Sequence, residues 1–147
     1  GLPAVISNST NNYGPWQFPE KLIPIVIINA IQGNEIPIYG NGMNIRDWLY
    51  VDDHVKALVK IIESNFEYTT FNIGANQEIT NLKLAELICS ILDSINPSSD
   101  SNSYKEQISF VGDRLGHDFR YAIDTTKINA SIPPPTDTYI THEFSLP

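Results

Sequence analysis

The sequence has one cysteine, Cys89, and one methionine among its 147 residues. A single thiol excludes an internal disulfide and a cysteine-rich zinc site. Cys89 stands in an apolar run with helical spacing, which predicts a buried, inert thiol. Basic residues are also scarce: Lys and Arg number 9 against 17 Asp and Glu, a formal net charge of −8. Affinity for a nucleic-acid backbone comes from clustered Lys and Arg, so this shortage excludes nucleic-acid binding as the main role. The acidic charge is spread along the chain and serves solubility. No apolar run is long enough to cross a membrane as a helix. The start Gly1-Leu2-Pro3 has no initiator methionine and no basic region. It predicts a chain without a signal peptide, a fragment or processed product, of cytoplasmic location.

Two further absences concern nucleotide chemistry. No G-x-G-x-x-G or G-x-x-G-x-x-G spacing occurs, so the phosphate-cradling turn that opens a dinucleotide-binding half is not in this sequence. No tyrosine has a lysine four residues on: Tyr13 is followed at that distance by Gln17, Tyr50 by His54 and Tyr121 by Thr125. What is present is a composition that can bury a core, 41% hydrophobic and 10% aromatic, at a length suited to one domain.

Helical and strand periods alternate along the chain. Residues 4–7 (AVIS) read as a short buried strand running into an Asn-rich loop, 8–12, and a turn at Tyr13-Gly14-Pro15. The first helix covers 19–31, regular from about Ile23 because Pro24 is tolerated only in a first turn, and Gly33-Asn34 ends it. Residues 36–39 are a strand, Gly40-Asn41-Gly42 a hairpin-type turn, and 44–50 the returning strand. Asp52 or Asp53 caps a second helix to about 63, with Val55, Leu58, Val59 and Ile62 as its core stripe. Residues 69–73 are a strand and 74–77 a loop. Thr80 or Asn81 caps a third helix through about 94, with Leu84, Leu87, Ile88, Ile91 and Leu92 inward. Residues 96–103 form a mobile polar loop, 108–111 a strand and 120–123 another. After Lys127 the periodicity decays, and 129–147, with Pro133-Pro134-Pro135, read as an irregular tail. The order is α/β, but it lacks an opening nucleotide-binding unit, so it reads as the second half of something larger.

Four segments are too polar and specific for plain scaffold. In 8–22 (NSTNNYGPWQFPEKL), Asn11 and Asn12 follow a strand end, where α/β sheets bind ligands; an amide can orient a hydroxyl or a carboxamide. Both can equally serve as turn residues. Lys21 near a helix start suits an anion, or is a solvated lysine. In 37–48, Pro37, Tyr39 and Arg46 surround a tight turn, and a forked guanidinium beside an aromatic suits a phosphate or a base, or an ion pair near Asp47. In 72–81, Asn81 at a helix start is either a cap or a ligand contact. In 113–118 (DRLGHD), Arg114 and His117 around Gly116 can clamp a diphosphate. His117 is a poor zinc candidate, since neither His54 nor His142 has ligand spacing to it.

Taken together, NNYGPWQFPEKLIP (11–24), IPIYGNGMNIRDWLYVDDH (36–54), FNIGANQEITN (71–81) and DRLGHDFRYAID (113–124) resemble the nucleotide-sugar 4,6-dehydratases, closest to the branch of the extended short-chain dehydrogenases acting on dTDP-glucose. The likeness runs collinearly from Gly1 to about Ile128. It implies the C-terminal part of such an enzyme, the last Rossmann strands plus a small α/β substrate-binding domain, with 1–128 as the substrate-binding half and 129–147 outside the family pattern. The implied activity is NAD-dependent conversion of a nucleotide-diphospho-hexose, dTDP-glucose in the nearest branch, to its 4-keto-6-deoxy sugar. The implied substrate contacts are Asn11, Lys21, Leu22, Pro37, Ile38, Tyr39, Arg46, Asn81, Asp113, Arg114, Leu115, Gly116 and His117. Asn12 is the implied contact to the NAD nicotinamide. The family commonly dimerises, through helices outside this region. Leu115 stands where the pattern has proline, and the tail replaces an expected Leu-Gly-Trp-x-Pro and final helix. The catalytic residues are expected in the missing N-terminal half, which predicts a chain inactive alone. The alternative is a non-catalytic module that binds a sugar nucleotide or docks on a partner; an epimerase or decarboxylase is less suited to the FPEKLIP and DRLGHD segments.

Overall fold

The computed structural model describes residues 2–98 and 102–132. In chain order the elements are β1 (Val5–Ser9), β2 (Asn11–Tyr13), α1 (Leu22–Gln32), β3 (Ile36–Tyr39), β4 (Ile45–Tyr50), α2 (Val51–Glu63), β5 (Thr69–Ile73), β6 (Glu78–Thr80), α3 (Asn81–Ile95), a 3-10 helix (Tyr104–Gln107), β7 (Ile108–Val111), β8 (Arg120–Tyr121) and α4 (Thr126–Ser131). They fall into two compact units. The first comprises Gly1–Gly14, Arg46–Glu78 and Tyr121–Pro147; the second comprises Pro15–Ile45 and Ile79–Arg120. The expected α/β class holds, and the strand pairs β1–β5, β2–β4 and β3–β7 are all parallel.

In the first unit, β1 runs beside β5 from Val5↔Thr69 to Ser9↔Ile73. The Asn-rich stretch expected as a loop is therefore largely strand: Asn8 and Ser9 complete β1, and Asn11 and Asn12 open β2, which pairs with β4. Ladder hydrogen bonds to a neighbouring strand override the weak strand propensity of asparagine. Leu49, Ile61, Phe71, Ile73 and Ile128 form the core, with Phe66 edge-on to Phe71 at 5.0 Å between ring centroids. Ile128 is buried in α4, so residues 129–131 continue a helix instead of beginning an irregular tail. Residues 133–147 of that tail lie outside the described residues, as do 99–101 of the polar loop expected at 96–103.

Helix α2 departs from its expected face and caps. Tyr50 is its N-cap, and Asp52 and Asp53 lie in its first turn, where the helix dipole favours acidic side chains. Ile61 is buried, with Ala57 and Leu58 packed against the core, whereas Val55, Val59 and Ile62 face outward, Ile62 at 76% exposure. Both stripes have helical spacing; contact with Phe71 and Ile73 selects one of them. Replacing Val59 or Ile62 by lysine is expected to change stability by no more than about 0.5 kcal/mol and to reduce self-association of the chain, measured by light scattering.

The second unit is built on parallel β3 and β7, with α1 packed on β3 and α3. Val26, Ala30, Ile36, Ile38, Leu84, Ala85, Ile88, Cys89 and Leu92 are buried. Burial pushes the Cys89 thiol up to about 11, which makes it unreactive as expected. Pro24 sits in the first turn of α1, and Gly33 ends that helix in the left-handed conformation, φ 71°. Thr80 caps α3, accepting from Lys83 N at 3.2 Å. Asp93 anchors the start of the 3-10 helix, accepting from Ser103 Oγ and Tyr104 N at 2.6 and 2.9 Å.

The hairpin expected across Gly40-Asn41-Gly42 does not form, because β3 pairs with β7 and β4 with β2. The turn is real, with Gly40 at φ 59° and Gly42 at φ 71°, but it hands the chain from one sheet to another. Gly42 is required sterically as well: a Cβ there would lie 2.7 Å from both Ile38 and Leu82. Local turn chemistry specifies a reversal of direction but not which strand becomes the partner.

Candidate functional site

In the second unit the loop after β7 closes on the end of β3. The Arg114 guanidinium carbon lies 4.0 Å from the Tyr39 ring centroid, a cation–π contact that holds the fork over the ring. Asp113 organises the loop. Its Oδ1 accepts from Arg114 N at 2.8 Å and pairs with His117 Nδ1 at 3.0 Å. His117 N in turn donates to Arg114 O at 3.2 Å, and Gly116, φ 73°, completes the reversal. The hydrogen bond from His117, and then that from Arg114 N, hold the Asp113 carboxyl below its ordinary range. Gly40 takes the left-handed conformation, φ 59°, and a Cβ there would stand 3.0 Å from Asp113 Oδ2, so the carboxylate would have to give way. The result is a preformed cluster of one guanidinium, one imidazole and one aromatic ring around a carboxylate hinge.

The neighbouring candidates take varied positions. Tyr39 and Pro37 are half-buried, while Ile38 points into the core at 1% exposure and offers only main chain. Leu115 is fully exposed at the loop apex. Lys21 is exposed just before α1, and Leu22 is the first residue of that helix. Asn81 opens α3; its N–H donates to Asn44 O at 3.0 Å, and its buried Oδ1 has no hydrogen-bond donor. Thus the structure gathers Tyr39, Asp113, Arg114 and His117, while Arg46, on β4, belongs to the other unit.

In the first unit, Asn11 and Asn12 lie on β2, in register with Trp48 and Leu49 of β4. The buried Asn11 Oδ1 has no donor. Asn12 is clamped: its Nδ2 donates to Ser9 Oγ at 3.1 Å and Thr10 O at 3.2 Å, and its Oδ1 meets His54 Nδ1 at 2.8 Å. Beside it, the Tyr13 and Tyr50 rings pack at a tilt, centroids 5.5 Å apart, and burial, then the charges of Asp53 and Tyr50, push the Tyr13 phenol upward.

Sequence reading missed two residues here. Asp47, 2% exposed, accepts from Ala75 N at 3.0 Å and Gln77 N at 2.7 Å, and so shapes the turn after β5. Gly74 accommodates it, because a Cβ would lie 2.6 Å from Asp47 Oδ2. His54 was weighed only as a zinc ligand and set aside; its partner is 42 positions away.

Residues 1–74 match the model of the NAD dependent epimerase/dehydratase family. The chain belongs to the NAD dependent epimerase/dehydratase family. It is 52% identical over 132 residues to a dTDP-glucose 4,6-dehydratase of Escherichia coli, covering 90% of this chain and 36% of that protein. Among solved structures, the dTDP-glucose 4,6-dehydratase of Bacillus anthracis, in complex with NAD, is similar with a TM-score of 0.75 and 40% identity, over 86% of this chain and 37% of that one. The UDP-glucose 4-epimerase of Thermotoga maritima, solved with UDP-glucose, has a TM-score of 0.76 at 27% identity, over 88% of this chain and 39% of its own. The chain therefore spans little more than a third of the length of these family members.

Proposed function

We propose that this family member carries the sugar-nucleotide-binding part of a dTDP-glucose 4,6-dehydratase, with residues 1–128 as that part. The observation that carries the reading is the preformed cluster of Tyr39, Asp113, Arg114 and His117. A guanidinium fixed on a ring and an imidazole held by a carboxylate supply the directed donors that a diphosphate needs. Higher identity to the dehydratases than to the epimerase supports the choice of branch. Lys21, Leu22, Pro37, Ile38, Arg46, Asn81, Leu115 and Gly116 complete the proposed contacts to the substrate. Asn11, with its unpaired buried carbonyl, is the proposed contact to a sugar hydroxyl.

NAD fits this chain only at one edge. An Asn12 amide clamped by Ser9, Thr10 and His54 suits the fixed edge a nicotinamide carboxamide requires, whereas nothing in the sequence offers a glycine-rich cradle for the pyrophosphate. When bound, NAD supplies the hydride acceptor and donor that oxidation at one sugar carbon and reduction at another demand. This chain's own residues bind and orient the diphosphate and the sugar. They include no Tyr-x-x-x-Lys pair to remove a hydroxyl proton, so the chain alone is expected to bind without turnover.

That same absence favours the second reading, a binding module without catalysis, and both readings draw on one cluster. Calorimetric titration tests the shared part. Binding of dTDP-glucose, competed by dTDP and not by glucose, is the expected result. Equal competition by glucose would remove the diphosphate from the account.

A further inference from the structure

We infer that His54 is a positioning residue that fixes the orientation of the Asn12 side-chain amide. The inference rests on the reading above for its consequence, since Asn12 is there the contact to the nicotinamide. It rests for its geometry on this chain alone.

The argument is one of donor and acceptor roles. Asn12 Nδ2 faces Thr10 O, which can only accept, and Ser9 Oγ. The amide nitrogen is thereby assigned, and the oxygen is the atom facing His54 Nδ1 at 2.8 Å. An oxygen there requires a proton on Nδ1. The other ring nitrogen, Nε2, is buried with no partner, and a bare lone pair is less costly there than an unpaired N–H. The neutral Nδ1–H tautomer satisfies both conditions, and imidazolium satisfies only one. Burial accordingly holds the His54 pKa below its ordinary value. Its place in the first turn of α2 acts in the same direction, because the positive end of the helix dipole disfavours a cation. The titratable groups nearby along the chain are Asp53 on the same helix, Tyr50 at its cap and Tyr13 on β2. Their recorded coupling is among themselves, through the Tyr13 phenol.

The lock joins the start of α2 to β2 across 42 positions of sequence. Without it the Asn12 amide keeps its nitrogen on Thr10 O and Ser9 Oγ but loses the donor that holds its oxygen, and the side chain is less firmly fixed. The folded state resists protonation that the unfolded chain accepts. Stability contributed by the lock is present above the ordinary imidazole value of about 6.5 and declines as the pH falls below it.

Nitrogen-resolved NMR of the full chain, with labelled histidine and asparagine, tests this. The expected spectrum shows His54 protonated at Nδ1 and bare at Nε2 through neutral pH, with its midpoint below the ordinary imidazole value. Two substitutions separate positioning from space-filling. His54→Asn places an amide nitrogen where Nδ1 stands, and His54→Gln places one where Nε2 stands. Slow exchange of the Asn12 Nδ2 protons should persist in His54→Asn and rise about tenfold in His54→Gln, the factor that one hydrogen bond of ordinary strength represents. A proton on Nε2 in the unaltered chain, or equal exchange in the two variants, overturns the inference. The tautomer result decides even where a variant fails to fold. If Asn12→Ala in an NAD-binding fusion left NAD affinity unchanged, the cofactor reading would fail while the tautomer and exchange results stood.

Discussion

Asp47→Ala should lower the melting temperature of the chain by about 10 °C. The carboxylate is buried and accepts two main-chain N–H groups, from Ala75 and Gln77, that fix the turn after β5. Hydrogen bonds to a charged group contribute roughly 1.5–3 kcal/mol each. Removing both bonds together with the buried side chain costs at least about 3 kcal/mol. At this size each kcal/mol moves the midpoint by about 2–4 °C. Asp47→Asn should lose about half as much, because its oxygen can still accept one bond while its NH2 group meets the second donor. Gly74→Ala should mimic the alanine variant from the other side, by pushing a methyl into Asp47 Oδ2. Differential scanning calorimetry of the three variants checks the order. An Asp47→Ala protein that melts with the parent would mean that the turn is held by other contacts.

The second large effect concerns affinity. Arg114→Lys should weaken dTDP-glucose binding about tenfold, although the charge is kept. Lysine lacks the planar fork that can engage two phosphate oxygens and that sits over the Tyr39 ring. One lost charge-assisted bond at an open site corresponds to about 1.4 kcal/mol, or that factor of ten. His117→Ala should also weaken binding, because it removes the imidazole that Asp113 holds beside the guanidinium. Lys105→Ala is the control: Lys105 is an exposed cation on the 3-10 helix and should be silent. A cost for Lys105→Ala equal to that of Arg114→Lys would show that affinity follows net charge and not the built cluster.

What could be read in advance divides by the range of the interaction. The strands at Ile36–Tyr39, Thr69–Ile73 and Ile108–Val111 each end directly before a glycine, Gly40, Gly74 and Gly112, and all three stand where the pattern put them. The end of α1 at Gly33 is equally local. The partner of β3 is not, because no residue near Gly40 says that the pairing strand lies some seventy positions later. The inward face of α2 was ambiguous for a related reason: two apolar stripes satisfy one period, and only the tertiary core chooses Leu58 and Ile61. Arg114, His117 and Tyr39 could be named because guanidinium, imidazole and ring announce their chemistry, and a family resemblance joined them. Asp113 was named with them, but its hinge role depends on bonds within the folded loop. Asp47 and His54 announce nothing by type. Each acts through partners 28 to 42 positions away, and only folding brings those together.

The most direct test of the central proposal is turnover by this chain joined behind the amino-terminal part of the Escherichia coli relative. The account predicts formation of a 4-keto-6-deoxy sugar from dTDP-glucose by the joined protein, reduced by Arg114→Lys, and none by the chain alone. Turnover by the chain alone, or a folded, NAD-binding fusion that leaves dTDP-glucose unchanged, would contradict it.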